Sequence, residues 1–372
     1  MNVKYDAIAG ADEARSNPAS GSGRDSRWSE PGGRAPEGAQ RRNRSRSYAA
    51  LDLGTNNCRL LIAEPAHFGF RVIDAFSRIV RLGEGLGHGN QLGADAIERT
   101  IDALRICRDK MAAKDVARAR LVATEACRLA ANGPAFVERV REELGLTLEI
   151  VDRKTEAYLA VTGCASLVDP DADSVVVFDI GGGSTEIAWL DGPATNMLVD
   201  PCGRIRAWDS LPVGVVTLAE RHGGVKVTRE SFRGMVEEVT ERLFSFNLAA
   251  SASGEGANFH LLGTSGTVTT IGGIHLKLPR YDRRRVDGMW MRNAEITGVL
   301  ERLLNSDYDE RAANPCIGRE RADLVLAGCA ILEAIRLAFP SDRLRIADRG
   351  LREGILMNMM RDDGVWRQEA YR

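Results

Sequence analysis

Apolar positions along the chain fall into short runs bounded by glycine and into stripes at helical spacing. The run from Val175 to Phe178 is rich in β-branched residues; after Asp179 and Ile180 it is cut by Gly181, Gly182 and Gly183, and a second apolar run closes at Leu190. This predicts strands at 175–180 and 185–190 joined by a tight turn. The stretch Ala49 to Ala63 repeats the design 127 residues earlier. Asp52 stands where Asp179 stands, Gly54 where Gly181 stands, Asn57 where Ser184 stands and Leu60 where Ile187 stands. Repetition within a chain implies repeated structure. Two lobes, each offering an Asp-x-Gly turn, can face one another across a cleft.

The remaining pattern alternates strands with helices. Phe70 to Leu82 reads as a strand and turn, and Gly83 to Asn90 as a glycine-dense connection of the kind that borders sites. Ile97, Ile101, Leu104 and Met111 mark an amphipathic helix. A strand at 121–124 leads to Arg128; Pro134 opens a helix that Gly145 closes, a strand covers 146–151, and a further helix starts near Thr155. In the second half, helices are expected near 214–221, 229–246 and 294–304, with Thr228 capping the middle one. Phe259 to Leu262 is a strand that runs into a third glycine turn, Gly263-Thr-Ser-Gly-Thr267, with a helix behind it. Such a turn either places Gly266 and Thr267 against a phosphate or ribose at a helix N-terminus or is a tight corner between strand and helix. A buried helix over 321–338, a strand at 344–347 and a last helix over 351–360 complete the pattern.

Composition places this architecture in a soluble class. The chain is 44% hydrophobic, and no segment approaches the roughly 18 apolar residues of a membrane span. Residues 1–47 differ: rich in Gly, Ser, Arg and Pro and without any period, they read as a disordered tail. Nine basic against six acidic side chains give that tail +3 and leave −5 on the rest of a chain whose net charge is −2. Anion binding must therefore be local, and neither a nucleic-acid surface nor a membrane surface is indicated. Seven scattered cysteines without a Cys-x-x-Cys pair, and no secretory signal, fit a reduced cytoplasmic protein with no cysteine-held metal. The five histidines show no ligand spacing either.

The chemistry lies in the turns. Glycine lets the backbone approach an anion and aim several N–H groups at it. Gly181, Gly182 and Gly183 with the hydroxyls of Ser184 and Thr185 form one phosphate grip; Asp52, Gly54, Thr55, Asn56 and Asn57 form its counterpart. Asp179 and Glu186 flank the grip and can hold a cation that neutralises the phosphate. By themselves these residues describe a two-lobed phosphate binder.

The chain from about residue 48 to 356 resembles the exopolyphosphatase and guanosine pentaphosphate phosphohydrolase family of the actin-like ATPase superfamily, in its short form without the extra C-terminal domain. The resemblance rests on both phosphate turns, Ala123-Thr-Glu-Ala-Cys-Arg128 with Asn132, Thr155-Glu-Ala157, Gly263 to Thr267, Arg321-Ala-Asp323 and Gly350-Leu-Arg-Glu-Gly354. It implies an α/β fold of two actin-like, ribonuclease H-like lobes with mixed sheets: 48–170 with about 340–372 in the first, and 171–339 in the second. It implies Mg2+-dependent hydrolysis of terminal phosphoanhydride bonds of inorganic polyphosphate or of guanosine pentaphosphate, and it leaves room for a homodimer. It selects Glu156 as the base that activates water and Arg128 as the side chain that grips phosphate. The family commonly carries a second acid where Thr155 stands. Lys277, Arg280, Arg283, Arg284 and Arg285 either guide a long anion or form a solvated loop.

Other classes fit less well. No lysine follows the glycines, as a P-loop requires, and a strand rather than a helix follows Gly183, against a dinucleotide fold. A sugar or acetate kinase would share the cleft but lack the segments around Arg128 and Glu156. A polyphosphate- or nucleotide-binding regulator with little turnover would share everything but the rate.

Overall fold

The computed structural model describes residues 46–67, 69–192, 201–251 and 258–366, with the backbone alone for His88 and 247–251. The expected disordered tail lies outside the described residues apart from its last two, and Ser47 already begins a strand.

β1 (Ser47–Leu53), β2 (Asn57–Pro65) and β3 (Phe70–Ile79) form an antiparallel meander. The chain passes through α1 (Leu86–Gly89) and α2 (Ala94–Ala113) to β4 (Val116–Ala123), parallel to β1. Next come α3 (Glu125–Leu129), α4 (Gly133–Leu144), β5 (Glu149–Ile150) and α5 (Arg153–Cys164). The plan then repeats. β6 (Ser174–Ile180), β7 (Thr185–Asp191) and β8 (Ile205–Leu211) form a second meander. After α6 (Val215–His222) and α7 (Arg229–Ser251), β9 (Phe259–Thr264) returns parallel to β6. α8 (Ser265–His275), α9 (Arg283–Val286), β10 (Trp290–Arg292), α10 (Asn293–Asn305), α11 (Tyr308–Ala313) and α12 (Val325–Ala338) lead to β11 (Arg343–Ala347), parallel to β9. α13 (Leu351–Asp362) follows.

The two mixed sheets run β3-β2-β1-β4-β5 and β10-β11-β9-β6-β7-β8. The repeat read from two turns thus extends to whole lobes: a three-stranded meander with two parallel strands added beside its first strand. β6 is buried along nearly its whole length because helices cover both of its faces, which is why its sequence does not alternate.

Several boundaries differ from the pattern. β11, expected with the first lobe, is hydrogen-bonded in the second sheet, so the return to the first lobe begins after Ala347. There Leu351, Ile355, Leu356 and Met359 of α13 pack with Tyr48, Ala50, Leu61 and Leu159. The strand expected over 146–151 shrinks to two residues because β5 pairs only with the end of β4. The helix expected from 321 starts at Val325, since Arg321 to Leu324 make tighter three-residue turns. β8 escaped notice because Arg206 and Asp209 interrupt its apolar pattern at the sheet edge. Thr228 does cap α7, its hydroxyl accepting from the Ser231 N–H at 3.1 Å.

Candidate active site

The glycine turns are shaped by what surrounds them. The first two N–H groups of α6 donate to the carbonyls of Gly181 and Gly182, at 3.0 and 2.9 Å. That turns the carbonyls away from the cleft and leaves the N–H groups of Gly182 and Gly183 without a backbone partner among the described residues. A Cβ on Gly182 would press on Thr55 and Asn56, and one on Gly183 would lie 2.6 Å from Thr55 Oγ1, so the turns of the two lobes meet face to face. The cavity between them, about 120 Å3, is lined by Asp52, Gly54, Thr55, Asn56, Asn57, Asp179, the three glycines, Ser184, Glu156, Glu186, Gly266 and Thr267. The third turn belongs to the site. Its Ser265, at φ 88, donates to the Ile180 carbonyl at 2.7 Å and ties the helix N-terminus to the end of β6.

Thr185 is the exception among the expected phosphate ligands. On a strand, neighbours point to opposite faces; the Thr185 hydroxyl donates to the Val213 carbonyl at 2.7 Å and the residue is fully buried outside the cleft. Ser184 lines the cavity but donates to Glu186 Oε1 at 2.7 Å, as does Ser210 at 2.9 Å. Together these hydroxyls aim the Glu186 carboxylate.

Register explains the carboxylates. Asp179 faces Glu186 across β6 and β7, and Asp52 faces Arg59 across β1 and β2. Asp179 and Glu186 are both deeply placed: burial, then Glu186 and Asp52, push Asp179 up to about 7, and burial raises Glu186 as well. Among the described residues no group of three or more His, Cys, Asp or Glu forms a metal cage. Two hard oxygen donors beside a phosphate grip fit Mg2+, which keeps waters and shares its ligands with substrate phosphates. The buried amide oxygens of Asn56 and Asn57, without a protein partner among the described residues, fit the same polar, hydrated setting.

Glu156 sits in the first turn of α5, whose N-cap Asp152 accepts from the Thr155 N–H at 2.7 Å. Burial, then Glu186, raise its carboxyl well above the usual range, against the pull of Arg128. Arg128 itself does not line the cavity. It donates to Glu156 Oε2 at 2.9 Å, to the Val151 carbonyl at 2.6 Å and to Glu125 Oε2 through Nε at 2.8 Å. In this structure Arg128 holds the candidate base. The residue that fixes it, Glu125, is almost completely buried and also accepts from Arg153 at 2.8 Å. Sequence reasoning missed Glu125, although it lies within the Ala123 to Arg128 segment.

Arg59, Arg321 and Arg352 were given no role either, although Arg321 and Arg352 stand in two of the segments that carry the resemblance. All three line a second cavity of about 410 Å3 that adjoins the first and shares Asp52, Asp179 and Gly266 with it. Their side chains have no hydrogen-bond or ion-pair partner among the described residues. Arg59 was legible in principle: it occupies, in the first hairpin, the place Glu186 holds in the second. Of the basic run near 280, Arg283 lines this cavity, with Glu353 at 2.9 Å; Lys277, Arg280, Arg284 and Arg285 are exposed.

The lobes are also tied away from the arginine cavity. Arg81 reaches Asp323 at 3.0 Å and the Gly85 N–H donates to Glu220 at 2.9 Å, and Arg81, Glu220 and Asp323 border a further cavity of about 200 Å3 that shares no lining residue with the arginine cavity.

Two duplicated lobes with phosphate turns meeting over a buried carboxylate pair form the frame of a phosphoanhydride hydrolase. Residues 61–363 match the Ppx/GppA phosphatase family, and the chain belongs to it. A Ppx/GppA family member from Aquifex aeolicus is 28% identical, with a TM-score of 0.69 over 86% of this chain and 98% of that one. An exopolyphosphatase from Cytophaga hutchinsonii shares the fold at 22% identity, with a TM-score of 0.76 over 85% of this chain and 98% of its own. Among the described residues no helix is long and apolar enough to cross a membrane.

Proposed function

We propose that this hydrolase is an exopolyphosphatase that releases terminal phosphate from inorganic polyphosphate with Mg2+. One observation carries the reading: Arg59, Arg321 and Arg352 stand unpaired beside the glycine turns. Burial lowers the pKa of Arg321 and of Arg352; Glu353 offsets part of this at Arg352, and Arg59 lowers both further. Cations gathered against burial and mutual repulsion call for a ligand with several negative charges in a row, and a run of phosphates supplies them.

The terminal phosphate then lies on the N–H groups of Gly182 and Gly183, with Asn57 and Thr55 on the facing lobe. Mg2+ held by Asp179 and Glu186 would neutralise charge on the phosphoryl oxygens. Glu156 accepts the proton of the attacking water; its raised basicity suits that role, and Arg128 fixes the direction in which its carboxylate points.

The test is phosphate release with Mg2+ from long-chain polyphosphate, guanosine pentaphosphate and ATP in parallel. Polyphosphate is expected to be the fastest substrate, and Glu156→Gln to lose about 10²- to 10⁴-fold in kcat. Release mainly from guanosine pentaphosphate would move the substrate assignment; release from none would leave a binding protein.

A further inference from the structure

Among the described residues two further cavities adjoin the cleft, and they differ in charge. On the latched side the bordering charged groups are Arg81, Glu84, Glu220 and Asp323, a net negative set whose one cation is already paired with Asp323. On the other side the arginine cavity opens, through Ser77 and Arg321, into a surface depression of about 350 Å3. That depression lies between the edge strand β3 of the first lobe, at Ser77 to Ile79, and the segment Ile317 to Arg321 of the second. Its charged groups are Arg78, Arg319, Arg321 and Glu320. Arg78 and Arg319 are exposed, and neither has an ion-pair partner among the described residues; the Arg78 guanidinium lies 5.4 Å from the centre of the Phe76 ring. A polyanion leaving the glycine turns meets a net negative border in one direction; in the other, the five arginines of the cavity outnumber its four carboxylates, and the unpaired Arg78 and Arg319 follow.

We propose that the undegraded part of a polyphosphate chain leaves the cleft through this second opening, and that Arg78 and Arg319 form a subsite for its distal phosphates that short substrates do not reach. The inference rests on the polyphosphate reading above. Because the two arginines stand on different lobes, a long chain lies across both and a short one stays inside the cleft. Binding at the opening adds to affinity for long chains without touching the reacting phosphorus, so it acts on KM and leaves kcat alone.

The experiment compares tripolyphosphate with long-chain polyphosphate for wild type, for Arg78→Glu/Arg319→Glu, and for Arg233→Glu/Arg302→Glu, which makes the same charge change at two exposed positions that line none of these cavities. The mouth variant is expected to raise KM for the long chain on the order of tenfold, two exposed charge contacts each counting for a few-fold. Its kcat and its KM for tripolyphosphate should match wild type, as should both parameters of the control variant. As a check free of substitutions, wild-type KM for the long chain should rise more steeply with salt than KM for tripolyphosphate. Equal effects on both substrates, an equal effect in the control variant, or an unchanged long-chain KM in a folded mouth variant would overturn the path. Wild type that releases no phosphate from polyphosphate of any length would instead overturn the substrate reading, and the path with it.

Discussion

Glu156 and Arg128 form a pair whose chemistry can be separated by experiment. Arg128 is the side chain that draws the Glu156 pKa down against burial and Glu186. In Arg128→Ala the acid limb of kcat/KM should therefore move to higher pH by about one unit or more, the usual effect of an opposite charge at this range. Arg128→Lys should recover part of it. If Arg128 served only to grip phosphate, KM would rise and the limb would stay in place. The sequence marked Arg128, but its use depends on Glu125, which is sealed beneath Gly183 and shared with Arg153. No local pattern distinguishes such a buried carboxylate from a surface acid in the first turn of a helix. Arg59 is different, since the spacing of the repeat places it opposite Asp52 as Glu186 is placed opposite Asp179. The duplication gave one hairpin a cation and the other an anion.

Among elements, the strands that enter the cleft were readable because burial on both faces leaves an unbroken apolar run, as in β6. β8 was not, because an edge strand keeps one side in water. Helix contacts were equally hidden. α5 and α13 cross so closely that a Cβ on Gly163 would overlap the Gly350 carbonyl oxygen, and one on Gly354 would overlap the Leu159 carbonyl oxygen. Both glycines lie inside helices, where alanine alone would be favoured by roughly 1 kcal/mol. Here the steric term decides. Gly163→Ala should destabilise by about 1–3 kcal/mol, as overpacking of a filled contact does, and a thermal melt should show a lower Tm. An unchanged or higher Tm would mean that the helices can part at no cost.

For the whole molecule, the cleft sets a dependence of stability on pH. Asp179 goes from the ordinary 3.8 to about 7 in the folded chain, first through burial and then through Glu186 and Asp52. Between those values the native state holds a proton that the unfolded chain has released, so stability falls as pH rises through that window. Three units correspond to about 4 kcal/mol at most. Without divalent cation, Asp179→Asn should melt above wild type at pH 8 and close to it near pH 4; parallel melting curves at both values would contradict this. Added Mg2+ should raise the wild-type Tm more at pH 8 than at pH 5, since the carboxylate must be free of its proton to take a cation.

The return of α13 to the first lobe also bears on how the protein is made. Tyr48, Ala50 and Leu61 of the opening strands are covered by Leu351, Ile355 and Leu356, from the far end of the described chain. A ribosome adds roughly 5–20 residues per second, so the face of β1 and α5 waits about 10–40 s after α5 is made before its cover exists. The second lobe can close on itself during that interval. The lobe begun first is therefore finished last, and its uncovered apolar face is the surface that a chaperone would meet on the nascent chain.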